Sequence, residues 1–139
     1  MTTKLINRVK ETQPQVASQF EKVIKRKQLT HAYLIEHLDS TVSYDFSLWL
    51  AQSVFCIHMI DGLPCGNCDT CRRIESFDFP DVNTVEPDGQ RIKVDQVREI
   101  KQTFIRSGME SRQKVLIIRE AEKMTTSAAN SLLKFIEEP

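Results

Sequence analysis

Val115-Leu116-Ile117-Ile118 is the stretch that decides the fold class of this sequence. A short, fully apolar run is typical of a strand buried on both faces, as in parallel sheets. Two further stretches, Ala32-Tyr33-Leu34-Ile35 and Val82-Asn83-Thr84-Val85, predict strands earlier in the chain. Helical patterns alternate with these strands, so we predict an α/β fold with a parallel sheet flanked by helices.

Four segments carry the apolar periodicity of amphipathic helices. Pro14 opens the first, Asp95 lies favourably in the first turn of the third, and Ser127 can cap the last. The apolar positions are, in order, Val16, Phe20, Val23 and Ile24; Phe46, Trp49, Leu50, Val54 and Phe55; Val94, Val97, Ile100 and Phe104; and Ala128, Leu132, Leu133 and Ile136. We expect Trp49 to lie in the core rather than to stack on a base.

Composition favours protein partners over direct nucleic-acid binding. The 139 residues suit one domain with a single core, and 19 basic residues balance 19 acidic ones. Proteins that bind by neutralising phosphates usually carry a basic excess. No apolar run approaches the roughly 20 residues that cross a bilayer, and residues 1–12 lack a signal peptide's apolar stretch. We therefore expect a cytoplasmic protein without membrane contact.

The cysteines predict a structural metal site. All four lie within one short segment with the spacing C-x8-C-x2-C-x2-C, at Cys56, Cys65, Cys68 and Cys71. Pro64, Gly66 and Asn67 supply the turns that such a loop needs. Four thiolates satisfy tetrahedral zinc and leave no open position, which is typical of structural sites. We predict a zinc module over residues 56–74 that holds one Zn2+ per chain.

Three other interpretations of this segment stay open. The cysteines could be four ordinary buried residues, or they could hold an iron–sulfur cluster, although the long first gap fits common ferredoxin spacings poorly. His58 could also replace one cysteine as a ligand, although a histidine there is more often a surface residue.

The segment after the first predicted strand has the place of a phosphate-binding loop but not its residues. Aligned with G-x-x-x-x-G-K-[ST], residues 37–44 offer His37, Val42, Ser43 and Tyr44 at the four defined positions. The glycines that let backbone N–H groups approach phosphate and the phosphate-binding lysine are both missing. Asp39 adds a charge that repels phosphate. We therefore expect no ATP to bind.

The second half of an ATP site is also missing. An acidic pair that holds magnesium would follow the strand at residues 115–118, and the chain has Arg119 and Glu120 there. A guanidinium cannot hold a metal cation. Taken alone, these residues also allow an α/β domain that never bound a nucleotide.

Two short basic runs have an ordinary explanation. They comprise Lys22, Lys25, Arg26 and Lys27 at the end of the first helix, and Arg72 and Arg73 after the cysteines. Contact with DNA or a neighbouring subunit is one interpretation of each. Cations are favoured near a helix C-terminus in any case, so we expect the first run to be solvated surface. We also expect a solvent-exposed role for Arg72 and Arg73.

Several motifs together resemble one known family. The motifs occur in the same order along the chain as in the AAA+ subunits of the bacterial DNA polymerase III clamp loader, which the sequence resembles. The four-cysteine insertion also lies at the corresponding place. The matching stretches are Gln13-Pro14, Phe20, Ile24, residues 31–35, residues 92–98, residues 114–125 (the Walker B region) and residues 130–139.

The resemblance is to the delta-prime group of that family, which lacks the glycine loop and carries a zinc module. It implies a non-catalytic subunit of a DNA polymerase (nucleotidyltransferase) holoenzyme that helps to load the sliding clamp on primed DNA, together with gamma/tau and delta subunits. It also implies that residues 1–139 are the N-terminal part of an AAA+ domain, truncated before a strand that would lie between the first and third strands. The alternatives are an ATP-binding gamma- or tau-like motor and a standalone zinc module that binds nucleic acid.

Overall fold

The computed structural model describes residues 5–30, 32–35, 39–106 and 113–137, which form two compact units, Met1–Phe79 and Pro80–Pro139. Helices and strands are mixed, and the strands form a two-stranded parallel sheet, as the α/β prediction requires. Among the residues described, no helix is long and apolar enough to cross a lipid bilayer.

The first unit is helical. Its helices are α1 (Leu5–Thr12), α2 (Pro14–Lys25), α3 (Ser40–Phe55) and α4 (Asp69–Glu75). Helix α1 was not predicted, because its apolar residues look isolated in the sequence. Leu5 and Val9 are four positions apart and therefore share one face, and both are buried. Packing of this face stabilises a helix too short to persist by itself.

Aromatic side chains build the core of the first unit. Trp49 is fully buried and packs edge-on against Phe46, which packs in the same manner against Phe20 of α2. The core position predicted for Trp49 is therefore confirmed. Arg8 of α1 forms ion pairs with Asp45 of α3 at 3.3 Å and with Glu75 of α4 at 3.4 Å.

The second unit holds the sheet. It contains β1 (Val82–Val85), α5 (Val94–Arg106), β2 (Val115–Ile118), a 3-10 turn (Ala121–Lys123) and α6 (Thr126–Glu137). The register runs from Val82 opposite Val115 to Val85 opposite Ile118. The buried core comprises Val85, Ile92, Val97, Ala128 and Leu132. Both strands predicted in this part of the sequence are confirmed.

The strand predicted at Ala32–Ile35 is wrong. These residues have no regular secondary structure, and the Leu34 side chain is 79% exposed. An apolar run forms a strand only where a neighbouring strand accepts its backbone hydrogen bonds. In the described part of the chain, β1 and β2 pair only with each other. The Thr30 N–H instead donates to the hydroxyl oxygen of Tyr33 at 2.9 Å.

Two helix starts also differ from the prediction. Helix α6 begins one residue before Ser127, and Thr125 is the cap, because its Oγ1 accepts a 3.1 Å hydrogen bond from the Ala128 N–H. Helix α3 begins at Ser40, so that residues 42–44 lie in its first turns rather than in a loop before it. Asp39 is the cap of α3, because its side chain accepts a hydrogen bond from the Thr41 N–H. Both caps follow the preference of helix N-termini for a side-chain oxygen that satisfies a free N–H.

Candidate metal centre

The four cysteines come from a helix end, a hairpin and a helix start. Helix α3 ends at Phe55, and the Cys56 N–H still donates to the Gln52 carbonyl at 2.8 Å. The chain then reverses direction in a hairpin, in which the backbones of Ile60 and Leu63 pair with each other. Gly62, in the turn of this hairpin, has a φ of +80°. Cys65 follows the hairpin, while Cys68 caps helix α4 and Cys71 lies in its first turn.

This path brings the four sulfurs together around one point. The four Sγ atoms all lie within 4.8 Å of one another, with Cys56 Sγ 3.7 Å from Cys65 Sγ and 3.9 Å from Cys68 Sγ. Sulfurs bound at about 2.3 Å to one tetrahedral zinc ion are about 3.8 Å apart. The cluster therefore has the dimensions to hold a single metal ion.

Backbone N–H groups point at three of the sulfurs. Cys56 Sγ accepts from the N–H groups of His58 and Cys65, Cys65 Sγ from those of Asn67 and Cys68, and Cys68 Sγ from that of Cys71, at distances of 3.2 to 3.4 Å. These donors stabilise negative charge on sulfur, which is the form that binds metal. His58 takes part through its backbone. In the described part of the chain, the converging ligand group consists of the four cysteines.

The thiols differ in how readily they ionise without a metal. Burial raises the pKa of Cys71 and also that of Cys56. Burial opposes ionisation of Cys68 too, but hydrogen bonds from the backbone of Cys71 and Ile57 and from neighbouring thiols lower its pKa to about 6. The cluster thus offers one sulfur that ionises easily at neutral pH.

Gln52 is a residue of this site that sequence reasoning missed. Its side chain is 1% exposed, and its Nε2 donates to the Cys71 carbonyl. The signal in the sequence was a polar residue that follows the apolar run of residues 48–51 in α3, one turn before Cys56. The periodicity of a helix does not predict which distant group such a residue will bind.

The start of α3 satisfies its own backbone. Asp39 Oδ1 accepts from the Thr41 N–H at 2.9 Å, and the Ser43 hydroxyl donates to the Ser40 carbonyl at 3.1 Å. The Tyr44 ring stacks on that of Phe77 with centroids 5.6 Å apart. His37 lies outside the described residues. Of the predicted loop positions, 42 to 44 therefore belong to a capped helix.

The carboxyl ends of the two strands carry ion pairs. The Arg119 N–H extends the ladder to the Val85 carbonyl at 2.8 Å, and the Arg119 guanidinium lies 3.4 Å from the carboxylate of Glu86. Glu120 has a left-handed φ of 54° and pairs with Lys123 at 3.0 Å. The position at which an ATP site would need a magnesium-binding carboxylate thus carries a guanidinium that pairs with Glu86.

The comparison with known proteins identifies the family. A family model described as "DNA polymerase III, delta subunit" matches residues 12–139. The delta-prime subunit of DNA polymerase III from Bacillus subtilis is 44% identical over 129 residues, which cover 93% of this chain. The chain belongs to the delta-prime family of DNA polymerase III subunits. The family resemblance inferred from the sequence is confirmed.

Other relatives extend this similarity. The delta-prime subunit of Haemophilus influenzae is 38% identical over 78% of this chain. The tau/gamma subunit of the same organism is 30% identical over 84% of this chain and is matched over 17% of its own length. The chain spans 39% of the length of the B. subtilis relative and 33% of that of the H. influenzae delta-prime subunit.

Proposed function

We propose that this chain contributes to a non-catalytic clamp-loader subunit of DNA polymerase III, in which one zinc ion is structural and no ATP binds. The observation that carries this proposal is the 44% identity to a delta-prime subunit over 93% of the chain. The geometry of three places in the structure supports the finer parts of the proposal.

The sulfur cluster supports a structural zinc ion. Cys56, Cys65, Cys68 and Cys71 would hold it, and four thiolates would leave no position for water or substrate. Sulfurs within 4.8 Å of one another suit one ion, whereas a cluster of several irons would hold them further apart. The bound zinc would stabilise the loop by cross-linking the end of α3, the hairpin and the start of α4. We regard residues 56–74 as the zinc module.

The start of α3 supports the absence of ATP binding. A phosphate at a helix N-terminus needs free N–H groups and benefits from the positive end of the helix dipole. Asp39 uses the Thr41 N–H and places a carboxylate where a phosphate would carry its charge. Ser43 occupies the lysine position of the phosphate-loop motif, and its hydroxyl donates to the Ser40 carbonyl of the same helix. These contacts disfavour a polyphosphate ligand.

The strand ends support the same conclusion independently. A magnesium ion there needs carboxylate oxygens, and Arg119 instead presents a guanidinium paired with Glu86. Neither half of a nucleotide site would therefore function. The chain would have no catalytic activity of its own while belonging to a polymerase assembly.

We place residues 1–139 in the N-terminal part of an AAA+ domain, for which the parallel pairing of β1 with β2 is the structural support. The subunit would assemble with gamma/tau and delta subunits in the cytoplasm and reach the sliding clamp and primed DNA through that assembly. Equal numbers of acidic and basic residues favour protein contacts over independent DNA binding.

Metal content and nucleotide binding, measured on one purified sample, test this proposal. We expect one zinc per chain by elemental analysis and no heat of ATP–Mg2+ binding by titration calorimetry, with a tau subunit as the positive control. Saturable, magnesium-dependent ATP binding would favour the motor alternative, to which the 30% identical tau/gamma relative points. Tight, salt-sensitive binding of DNA by this chain alone would favour the nucleic-acid-binding alternative.

A further inference from the structure

We propose that the outer loop of the cysteine module is a docking surface for an acidic amphipathic helix of another protein. The surface has two parts. The knuckle tip consists of Ile57, Met59 and Ile60, and the basic helix end consists of Lys22, Lys25, Arg26 and Lys27. This proposal is independent of the clamp-loader role, since it uses neither the thiolates nor the nucleotide positions.

The knuckle tip exposes apolar side chains without a structural need. Ile57 is 75% exposed, Met59 40% and Ile60 50%, within four consecutive residues. The loop holds its shape through backbone contacts, since the N–H of residue 58 binds sulfur and Ile60 pairs with Leu63 through main-chain atoms. The three side chains could be polar without loss of these bonds. Clustered exposed apolar residues mark interaction sites more often than isolated ones do.

The basic helix end lies against the same hairpin. A Cβ added to Gly62 would be 3.1 Å from Lys25 Cγ, so the lysine stem packs on the turn that follows Ile60. All four cations are exposed, and none has an ion-pair partner among the described residues. The helix dipole explains cations in the last turn of α2. It does not explain why Lys25 packs against the turn of an apolar loop.

This combination selects the chemistry of the partner. A helix that buries an apolar stripe on the knuckle tip and carries Asp or Glu beside that stripe would satisfy both parts at once. Opposite charges around an apolar centre are the usual arrangement of such interfaces. A DNA backbone would use the cations but leave Ile57, Met59 and Ile60 in water. An anionic lipid surface could engage both parts as well, and it is an alternative outcome that the experiment below distinguishes.

Fluorescence anisotropy with defined probes tests the docking surface. The probe is a labelled helical peptide of roughly 18 residues, with leucines at i, i+3, i+4 and i+7 and glutamates beside them. A second peptide replaces each glutamate with lysine. A DNA duplex and phosphatidylglycerol vesicles represent the other two classes of ligand. Two variants remove the two parts, Ile57→Ser with Ile60→Ser, and Lys25→Glu with Lys27→Glu.

We expect the glutamate peptide to bind and the lysine peptide to bind at least about tenfold more weakly, with each double variant losing about tenfold in affinity for the glutamate peptide. Leu133→Ser and Lys134→Glu on α6 are matched controls and should change nothing. The zinc content of each protein is measured, so that loss of the fold can be distinguished from loss of docking. The lysine variant also lies outside the metal loop. The proposal would be overturned if the glutamate peptide did not bind, or if its affinity were the same for both double variants and the parent chain. Binding of DNA or vesicles that depends on the knuckle tip would also overturn it.

Discussion

Gln52 Nε2 donates a 3.0 Å hydrogen bond to the carbonyl of Cys71, and both residues are buried. The bond joins α3 to α4 across 19 positions of sequence and fixes the backbone of the least exposed cysteine. Buried polar groups without partners are strongly disfavoured, so this contact holds the orientation of α4 as well as satisfying both atoms. It gives the candidate metal centre a support that does not depend on a bound metal.

Loss of this support should weaken the metal site. Gln52→Met keeps the side-chain volume but leaves the Cys71 carbonyl without its donor. We expect zinc affinity to fall by about 10- to 100-fold, as for other residues that position ligands. Competition with a chromophoric chelator measures this. Gln102→Met on the exposed face of α5 is the control, and equal zinc affinity for both variants would contradict a positioning role.

Removal of one thiolate should unfold the module locally. We expect Cys68→Ser to lose stoichiometric zinc and to lower the melting temperature, while ATP–Mg2+ titrations stay flat as for the parent chain. Asn67→Ser is the matched control, because residue 67 contacts Cys65 Sγ through its backbone N–H only. If melting curves of the parent chain were identical with and without a strong chelator, the structural role of the metal would be refuted.

The cap at Asp39 should matter for stability and not for nucleotide binding. Asp39→Ala removes the acceptor of the Thr41 N–H, and we expect a loss of about 1 kcal/mol in the free energy of unfolding. Asp39→Ser retains a capping oxygen and should restore most of it. Neither variant should bind ATP–Mg2+, since no lysine or glycine is gained. Nucleotide binding by Asp39→Ser would mean that this carboxylate alone blocks a competent site.

The two candidate caps of α6 can be told apart directly. Thr125→Ala removes the oxygen that accepts from the Ala128 N–H, with an expected loss of about 1 kcal/mol by urea denaturation. Ser127→Ala removes an exposed hydroxyl inside the first turn and should change stability by less than about 0.5 kcal/mol. The reverse order of effects would restore Ser127 as the cap.

The strands show where sequence reasoning succeeds and where it stops. Val115–Ile118 and Val82–Val85 carry local apolar patterns, and both become strands because each provides the other's hydrogen-bonding edge. Ala32–Ile35 carries an equally apolar pattern without such an edge among the described residues, and Leu34 lies in solvent. The pairing of strands depends on the whole chain, so a short segment of sequence cannot predict it.

The sequence by itself determined the two strands of the second unit, the four-cysteine group and the absence of the phosphate-binding residues, because spacing over a few residues encodes each of these. Only the tertiary structure decided that Gln52 supports Cys71 and that Arg119 pairs with Glu86, since these partners are 19 and 33 positions apart. It likewise decided that Leu5 and Val9 give α1 one buried face. Long-range contacts depend on how the elements pack, which periodicity does not specify.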